Sequence, residues 1–509
     1  MPRAERKTTL NSEMSGRYIH YIETPLKIVA CWELFPKSTQ ERQIIFNDIY
    51  LGIVLFVLTH IPMVLTVHLY TEWEDIMSSL GTIADSLPLI VSLIIVTYYA
   101  MYRKDLYELL EYMDKNFKYH SARGLTNMTM AQSCMTARRF GRIYTACTMF
   151  SVTMYVTLPV MVHLWTKEPI QGWIYMDITR SPFYEFVFLL SCLAQLYVGL
   201  AMGQFGVFFA SNSILICGQL DLLCCSLRNA RYTALLQHGV KHAALVATHA
   251  DDIRNDEKHN YIYNKSEMNE SAYHYDERAL RRQNIFWTST VDALRDCASL
   301  CQVVNKYKQM FENFVSPLLV LRVVQVTLYL CTLLYAATLK FDMITVEYLA
   351  AVALDIFVYC FYGNQIILQA DRVSTAAYHS MWQTMGVRPR RVLLNILLAN
   401  RRPVVVRAGR FLPMDLHTFV VVSIFVATLI VVLPCQTILN LPKAGGFFFN
   451  LFINVRGSRL ITSRADNTIC EVKLRLLRSV CGWVTVRYTS RSLRASESTL
   501  KQSVPGEYL

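Results

Sequence analysis

Long apolar runs dominate the chain, and short charged stretches separate them. Asp48 to Leu69, Ser86 to Tyr102, Ile143 to Leu164, Phe186 to Phe209, Phe314 to Leu339 and Tyr348 to Leu368 each reach spanning length. A helix needs roughly 20 apolar residues to cross hydrocarbon, within a range of about 17 to 25. A last run, Phe419 to Val432, is shorter, and leaning back to Met414 brings it near that length. The pattern predicts an all-α membrane protein with seven transmembrane helices. Several runs exceed what a bilayer needs, so their inner ends are expected to project into the cytoplasm.

Composition agrees. Of 509 residues, 53% are hydrophobic and 17% charged, whereas a soluble chain of this size would divide into domains joined by polar linkers. Residues 1–43 hold seven cations interleaved with acids and no apolar core. No signal peptide is therefore expected, and the first span directs insertion.

The loops set the orientation. The first, TEWEDIMSSLGTIAD, has four acids and no Lys or Arg, while the second, residues 103–142, has eight cations. The third has only Lys167 and Arg180, and the fourth has twelve cations between Arg228 and Lys308. Lys340 stands alone in the fifth, and the sixth is basic from Arg372 to Arg410. Cations concentrate in cytoplasmic loops. The amino end is thus expected inside and the carboxyl end outside.

Three regions follow: a cytoplasmic segment over 1–47, a seven-helix domain over 48–433, and a tail over 434–509. The tail holds eleven cations and four acids, contributing +7 of the +12 net charge. It has no clear periodicity, and a weakly ordered segment is expected. The remaining +5 gives no reason to expect a nucleic-acid partner.

Cysteine is absent between residues 61 and 133 and between 148 and 191, which include two outer loops. Buried free thiols are expected rather than a disulfide framework. His238, His242, His249, His259 and His274 lie in the polar fourth loop, where the first two share a helical spacing of four. No further ligand pair completes a metal site, so a solvated loop is expected, with no metal and no cofactor. Arg322 interrupts the fifth run. A charge at membrane depth costs about 2.5 to 3.5 kcal/mol unless it snorkels or faces protein, and an inner projection of that run would relieve it. Neither a phosphate loop, a GxSxG motif nor a pair of intramembrane carboxylates is present, so an enzyme is not expected.

Aromatic residues gather toward the outer ends of spans: Tyr155 and Trp165 on the third, Phe183, Tyr184 and Phe186 at the fourth, Tyr348 on the sixth. An interfacial belt accounts for most such residues. The other reading is a small apolar cavity between helices.

The run Tyr359-Cys360-Phe361-Tyr362-Gly363-Asn364, followed by Tyr378 and Trp382, resembles the sixth-span signature of insect odorant receptors. Arg391-Val392-Leu393-Leu394, Arg401-Arg402-Pro403, Ala408-Gly409-Arg410-Phe411 and Met414 to Phe419 resemble that family's seventh-helix region. The likeness covers roughly residues 15 to 420 and looks like a divergent odorant-tuned subunit, not the common co-receptor. Two departures stand out. Gln369-Ala370 replaces a usual Glu-Ser, and after Phe419 the family's prompt ending gives way to VVVSIFVATLIVVLPCQ and some seventy further residues.

The resemblance implies a tetrameric ligand-gated channel passing monovalent and divalent cations, assembled with the co-receptor in the plasma membrane of a sensory dendrite. It implies an outer pocket for small volatile odorants among spans two, three, four and six, with Tyr155, Val162, Trp165, Phe186 and Tyr348 as candidates. It also implies a cytoplasmic anchor near 290–325 and 363–410, with Gly363, Asn364, Tyr378, Trp382 and Leu394 at the subunit contacts. Thr418, Phe419, Val422, Ser423 and Val426 would face or flank the pore, where a ring of Val and Leu closes by dewetting. Gustatory receptors are the nearest alternative, but Thr418-Phe419 is followed by no Gln-Phe. A G-protein-coupled receptor is the alternative from another class, suggested by Asp371-Arg372-Val373. No Asn-Pro pair occurs anywhere, and the orientation is inverted.

The orientation makes a testable statement about three glycosylation sequons, at Asn127, Asn264 and Asn269. All lie in loops assigned to the cytoplasm, so glycosidase treatment should leave gel mobility unchanged. A shift that disappears when Asn264 and Asn269 are replaced would overturn the topology.

Overall fold

The structure is a computed structural model and describes residues 22–36, 40–71, 76–166, 183–249, 284–339, 343–401, 405–421 and 423. The chain divides into two compact units, Met1–Val426 and Ala427–Leu509. The second unit, with the tail over 434–509, lies outside the described residues.

The first unit is built from helices. A short helix α1 covers 22–28. It is followed by α2 (Glu41–Thr71), α3 (Ile76–Met101), α4 (Arg103–Asn116), α5 (Ala131–Thr166), α6 (Phe183–Gln237) and α7 (His242–Thr248). Then come α8 (Asn284–Leu339), α9 (Met343–Tyr378) and α10 (Val387–Ala399), and a hairpin of β1 (Arg407–Ala408) and β2 (Leu412–Pro413). A last helix, α11, begins at 416. The first six apolar runs coincide with α2, α3 (all but Tyr102), α5, α6, α8 and α9, and the seventh starts in the first turn of α11.

Among the described residues, four helices are long and apolar enough to cross a membrane. A fifth span results if Ser86–Met101 is joined to Arg103–Asn116 across a bend of 68°. Helix α3 also starts ten residues before its apolar run, at Ile76. Hydropathy marks where hydrocarbon begins, whereas the backbone continues its helical bonds beyond that boundary.

Helices α6 and α8 hold 55 and 56 residues. At 1.5 Å per residue each is about 80 Å long, far more than the ~30 Å of hydrocarbon. The excess projects on the side that carries the basic loops. Along α6 the burial pattern has no exposed stripe from Gly203 to Ala230, so this helix is a central post. Helices α5, α8, α9, α2 and α3 all pack against it. Its contact with α5 is close: Gly199 and Gly203 face Val152 and Thr148. Small residues four apart let membrane helices approach at backbone distance. Gln204 adds a hydrogen bond from Nε2 to Thr145 Oγ1 of 3.0 Å. The core beside it is aromatic, with Tyr99, Phe205, Phe208, Phe209, Phe311, Phe314 and Tyr359 all buried. Opposite in character, α2 turns Ile45, Phe46, Ile49, Ile53 and Phe56 outward, as a lipid-facing helix does.

The projecting part of α6 organises the second basic loop. Gln219 clasps both the N–H and the carbonyl of Lys118, and Ser226 accepts the N–H of Ala122. Asn229 Oδ1 accepts the N–H groups of Leu125 and Thr126 at 3.1 and 3.4 Å. Its Nδ2 donates to the Thr126 carbonyl at 2.9 Å. Thr233 donates to the Arg123 carbonyl. These four side chains share one face of α6 and replace water for a loop that carries the Asn127 sequon.

Two expectations are corrected here. The fourth loop is not wholly solvated: His242 is buried and its Nε2 lies 3.3 Å from the Leu125 carbonyl. His238 bonds Ser289, and the His249 ring packs on Tyr232. The reason is an apolar patch of Leu125, Tyr232, Leu235, Val240, Leu245 and Phe286 that this segment covers. His259 and His274 lie outside the described residues. Arg322 does not escape toward water either. It is 4% exposed and ion-paired with Asp355 of α9. Cysteines among the described residues are free thiols.

Asn229→Ala would leave two buried N–H groups of the second loop without partners, at about 1–3 kcal/mol each. The expected outcome is a lower apparent melting temperature in detergent and faster tryptic cleavage after Arg123. Unchanged cleavage would show that the loop does not depend on this side chain.

Candidate functional site

The start of α11 is held by a small structural joint. Ala408 to Phe411 turn with Gly409 and Arg410 at φ +60° and +68°, the signs a type I′ hairpin turn requires. The Phe411 N–H closes the turn on the Ala408 carbonyl at 3.3 Å. The hairpin is tied to α8: Gly409 donates to the Ser316 carbonyl and Arg407 N–H to Glu312 Oε1, both at 3.3 Å. On its other side Gly363 of α9 packs directly on the Met414 carbonyl, where any Cβ would overlap it. Asp415 then caps the helix by accepting the Thr418 N–H at 2.7 Å.

This geometry places several of the predicted residues. Thr418 is 5% exposed and its hydroxyl donates to the Pro413 carbonyl at 2.7 Å. Phe419 turns toward α9, its ring 5.5 Å from Phe357. Both are the first turn of α11 and serve to seat it. Beyond them Val420, Val421 and Ser423 are exposed. The side chain of Val422 and all of Val426 lie outside the described residues. Gly363 makes its close contact with Met414 of its own chain.

The remaining anchor candidates divide. Asn364 is half-buried. Tyr378 is 62% exposed, with its ring 6.2 Å from Trp382. Helix α10 is two-sided. It buries Pro389, Leu393 and Ile396 but exposes Val387, Leu394 and Leu398, each more than half. Apolar side chains thus face out from a short helix with a basic sequence. Nearby, Gln369 is buried and accepts from Arg372 Nη1 at 3.0 Å. Burial pushes the carboxyl of Asp221 up to about 6, with Arg372 and Arg228 pulling it back.

The outer candidates are less gathered. Trp165 and Phe186 are 91% and 63% exposed, which suits an interfacial belt. Tyr155 is half-buried, and the side chains of Val162 and Tyr348 lie outside the described residues. The polar feature that hydropathy missed is the Arg322–Asp355 pair. Gln325 accepts from Arg322 Nη1, and Tyr144 Oη donates to Asp355 Oδ1 at 3.4 Å. Gly206 lies against the hydroxyls of Tyr144 and Tyr359. The signal for this pair was available: Asp355 sits alone inside the sixth apolar run as Arg322 does inside the fifth. Among the described residues no cluster of His, Cys, Asp and Glu could hold a metal ion.

The family model of the 7tm odorant receptors matches residues 74–425. The chain belongs to the odorant receptor family. It is 24% identical over 406 residues to putative odorant receptor 85e of Drosophila melanogaster, covering 77% of this chain and 83% of that protein. To Drosophila odorant receptor 83a it is 23% identical over 337 residues, covering 63% and 72%. Its fold is similar to the insect olfactory receptor OR5 from Machilis hrabei, with a TM-score of 0.59 at 16% identity. That likeness covers 83% of this chain and 99% of OR5. The odorant receptor match ends at 425, one residue before the first compact unit does.

Gly363→Ala should already displace Met414, because overpacking a tight contact costs about 1–3 kcal/mol, and Gly363→Leu more. The contact is internal to one subunit. Both variants should therefore lower the melting temperature of detergent-solubilised monomers as well as of assemblies. A loss confined to assemblies would return Gly363 to the subunit interface.

Proposed function

We propose that this odorant receptor is a tuning subunit of a ligand-gated, non-selective cation channel. It assembles with the shared co-receptor, as a tetramer, in the plasma membrane of sensory dendrites. Small volatile apolar odorants bind in the outer half among the second, third, fourth and sixth spans. The pore lies along α11 beyond its tied first turn, and Val422 and Val426 belong to a ring of apolar side chains that closes by dewetting. Monovalent and divalent cations pass when the ring opens. Such an apolar pocket discriminates by shape, at about 1–3 kcal/mol per methylene.

The observation that carries this reading is the division along the chain from α9 to α11. The first turn of α11 is fixed to its own subunit, whereas α10 and the next turn of α11 present exposed apolar residues. A receptor acting alone gains nothing from apolar side chains on a cytoplasmic helix. A subunit that shares an anchor and contributes one wall of a pore requires both surfaces.

Cells expressing this chain with the co-receptor, without added nucleotide or G protein, should give an inward current to a panel of volatiles. Eugenol belongs in the panel because OR5 of Machilis hrabei is known in complex with it. Current that appears only through second messengers would overturn the channel reading. Leu394→Asp should reduce recovery of the co-receptor in a pull-down by about tenfold while leaving monomer stability unchanged; that factor corresponds to ~1.4 kcal/mol.

A further inference from the structure

Helix α9 carries two sets of contacts on different faces. Toward α8 and α5 it presents Asp355, bound to Arg322 and approached by Tyr144. Toward the hairpin and α11 it presents Phe357, Cys360 and Gly363. Phe357 meets Phe419, Gly363 meets the Met414 carbonyl, and buried Cys360 lies against the Phe419 backbone. Asp355 and Gly363 are eight residues apart, about 12 Å along one rigid helix. A shift of α9 at Asp355 is therefore transmitted to the seat of α11.

Stability alone does not account for the pair. Exchanging a buried ion pair for apolar residues of equal volume is often neutral or stabilising. Nor does the pair stand alone: Gln325 accepts from Arg322, and the hydroxyls of Tyr144 and Tyr359 lie beside the two charges. Packed interfaces shift between discrete arrangements rather than deforming continuously. Intramembrane charges of this kind mark functional positions.

We propose that the Arg322–Asp355 pair, braced by Tyr144, is a latch that holds α9 in its resting position and thereby keeps the first turn of α11 seated. Releasing the pair moves α9 and unseats α11. The inference deepens the channel reading and rests on it only for a current; the movement itself is read without one.

Cys360 reports the movement because it is fully buried at the α9–α11 contact. Full-length chain in membranes of expressing cells is treated with N-ethylmaleimide, and labelling of Cys360 is followed by mass spectrometry of its peptide. Asp355→Asn and Arg322→Gln should each label about tenfold faster than wild type, and the exchanged pair, Arg322→Asp with Asp355→Arg, should return to near the wild-type rate. Singles that reach the surface with an unchanged rate, or an exchange that labels as fast as the singles, would overturn the latch. Where the singles fail to reach the surface, Tyr144→Phe decides, because it keeps both charges. It should label about threefold faster, a factor that ~0.6 kcal/mol represents, and an unchanged rate rejects the proposal. Ligand-free inward current per surface subunit, with the co-receptor, should rise in the same order. Thiol rates that follow expectation in variants that carry no current refute the channel and leave the latch standing. Current that rises while Cys360 stays protected refutes the latch.

Discussion

Hydrocarbon offers a polar group no partner, and this constraint governs the arrangement of the whole membrane part. Each backbone N–H and carbonyl must be satisfied within the chain, which dictates helices for every apolar run. The same rule then selects which side chains may face inward. Tyr98 donates to the Phe314 carbonyl at 2.9 Å, Gln204 donates to Thr145, and Arg322 finds Asp355. Each of these bonds joins two different helices, so satisfying polar groups also fixes helix partners. Close packing through Gly199 and Gly203 supplies what the hydrophobic effect cannot, since lipid tails are as apolar as the helices themselves.

Outside the hydrocarbon the problem reverses, because water competes for every bond. The projecting half of α6 answers with polar side chains at 219, 226, 229 and 233 that bind loop backbone rather than one another. The amino-terminal segment is fastened by bonds between side chains instead. Glu33 accepts from Arg103 and Tyr107 of α4 at 2.7 and 2.9 Å. One helix is thus written in two chemical languages along its length. Apolar and small residues serve the membrane, and amide and hydroxyl side chains serve the extension.

The sequence made the long apolar helices and the family legible, because length and hydropathy are properties of single segments. Pairings were not legible. Arg322 was conspicuous, but its partner lies 33 residues away on another helix, and only packing shows that the two meet. Thr418 was assigned to face or flank the pore by resemblance alone. In the structure it belongs to a capping arrangement with Asp415, a local signal that hydropathy hides. Gly363 was marked by the family signature, yet the surface it approaches within its own chain, the Met414 carbonyl, is visible only in the fold. His242 was read as solvated because its neighbours in sequence are polar, whereas in the fold it is buried with its ring against the Leu125 carbonyl.

The hairpin before α11 shows why a short irregular element recurs at such a position. A helix that must change direction between an anchor and a membrane cannot do so by bending alone, since kinks need an interruption of the hydrogen-bond ladder. Here two residues with positive φ make the reversal, and one of them, Arg410, is not glycine. A non-glycine residue in that region stores strain that surrounding contacts must offset. Those contacts come from α8 through Ser316 and Glu312 and from α9 through Gly363. The start of α11 is thereby determined by two helices at once, and its position can change only if their relation changes. The buried charges of Arg322 on α8 and Asp355 on α9 fix that same relation at membrane depth. Joint and ion pair are therefore two constraints on one degree of freedom, the placement of α9 beside α8.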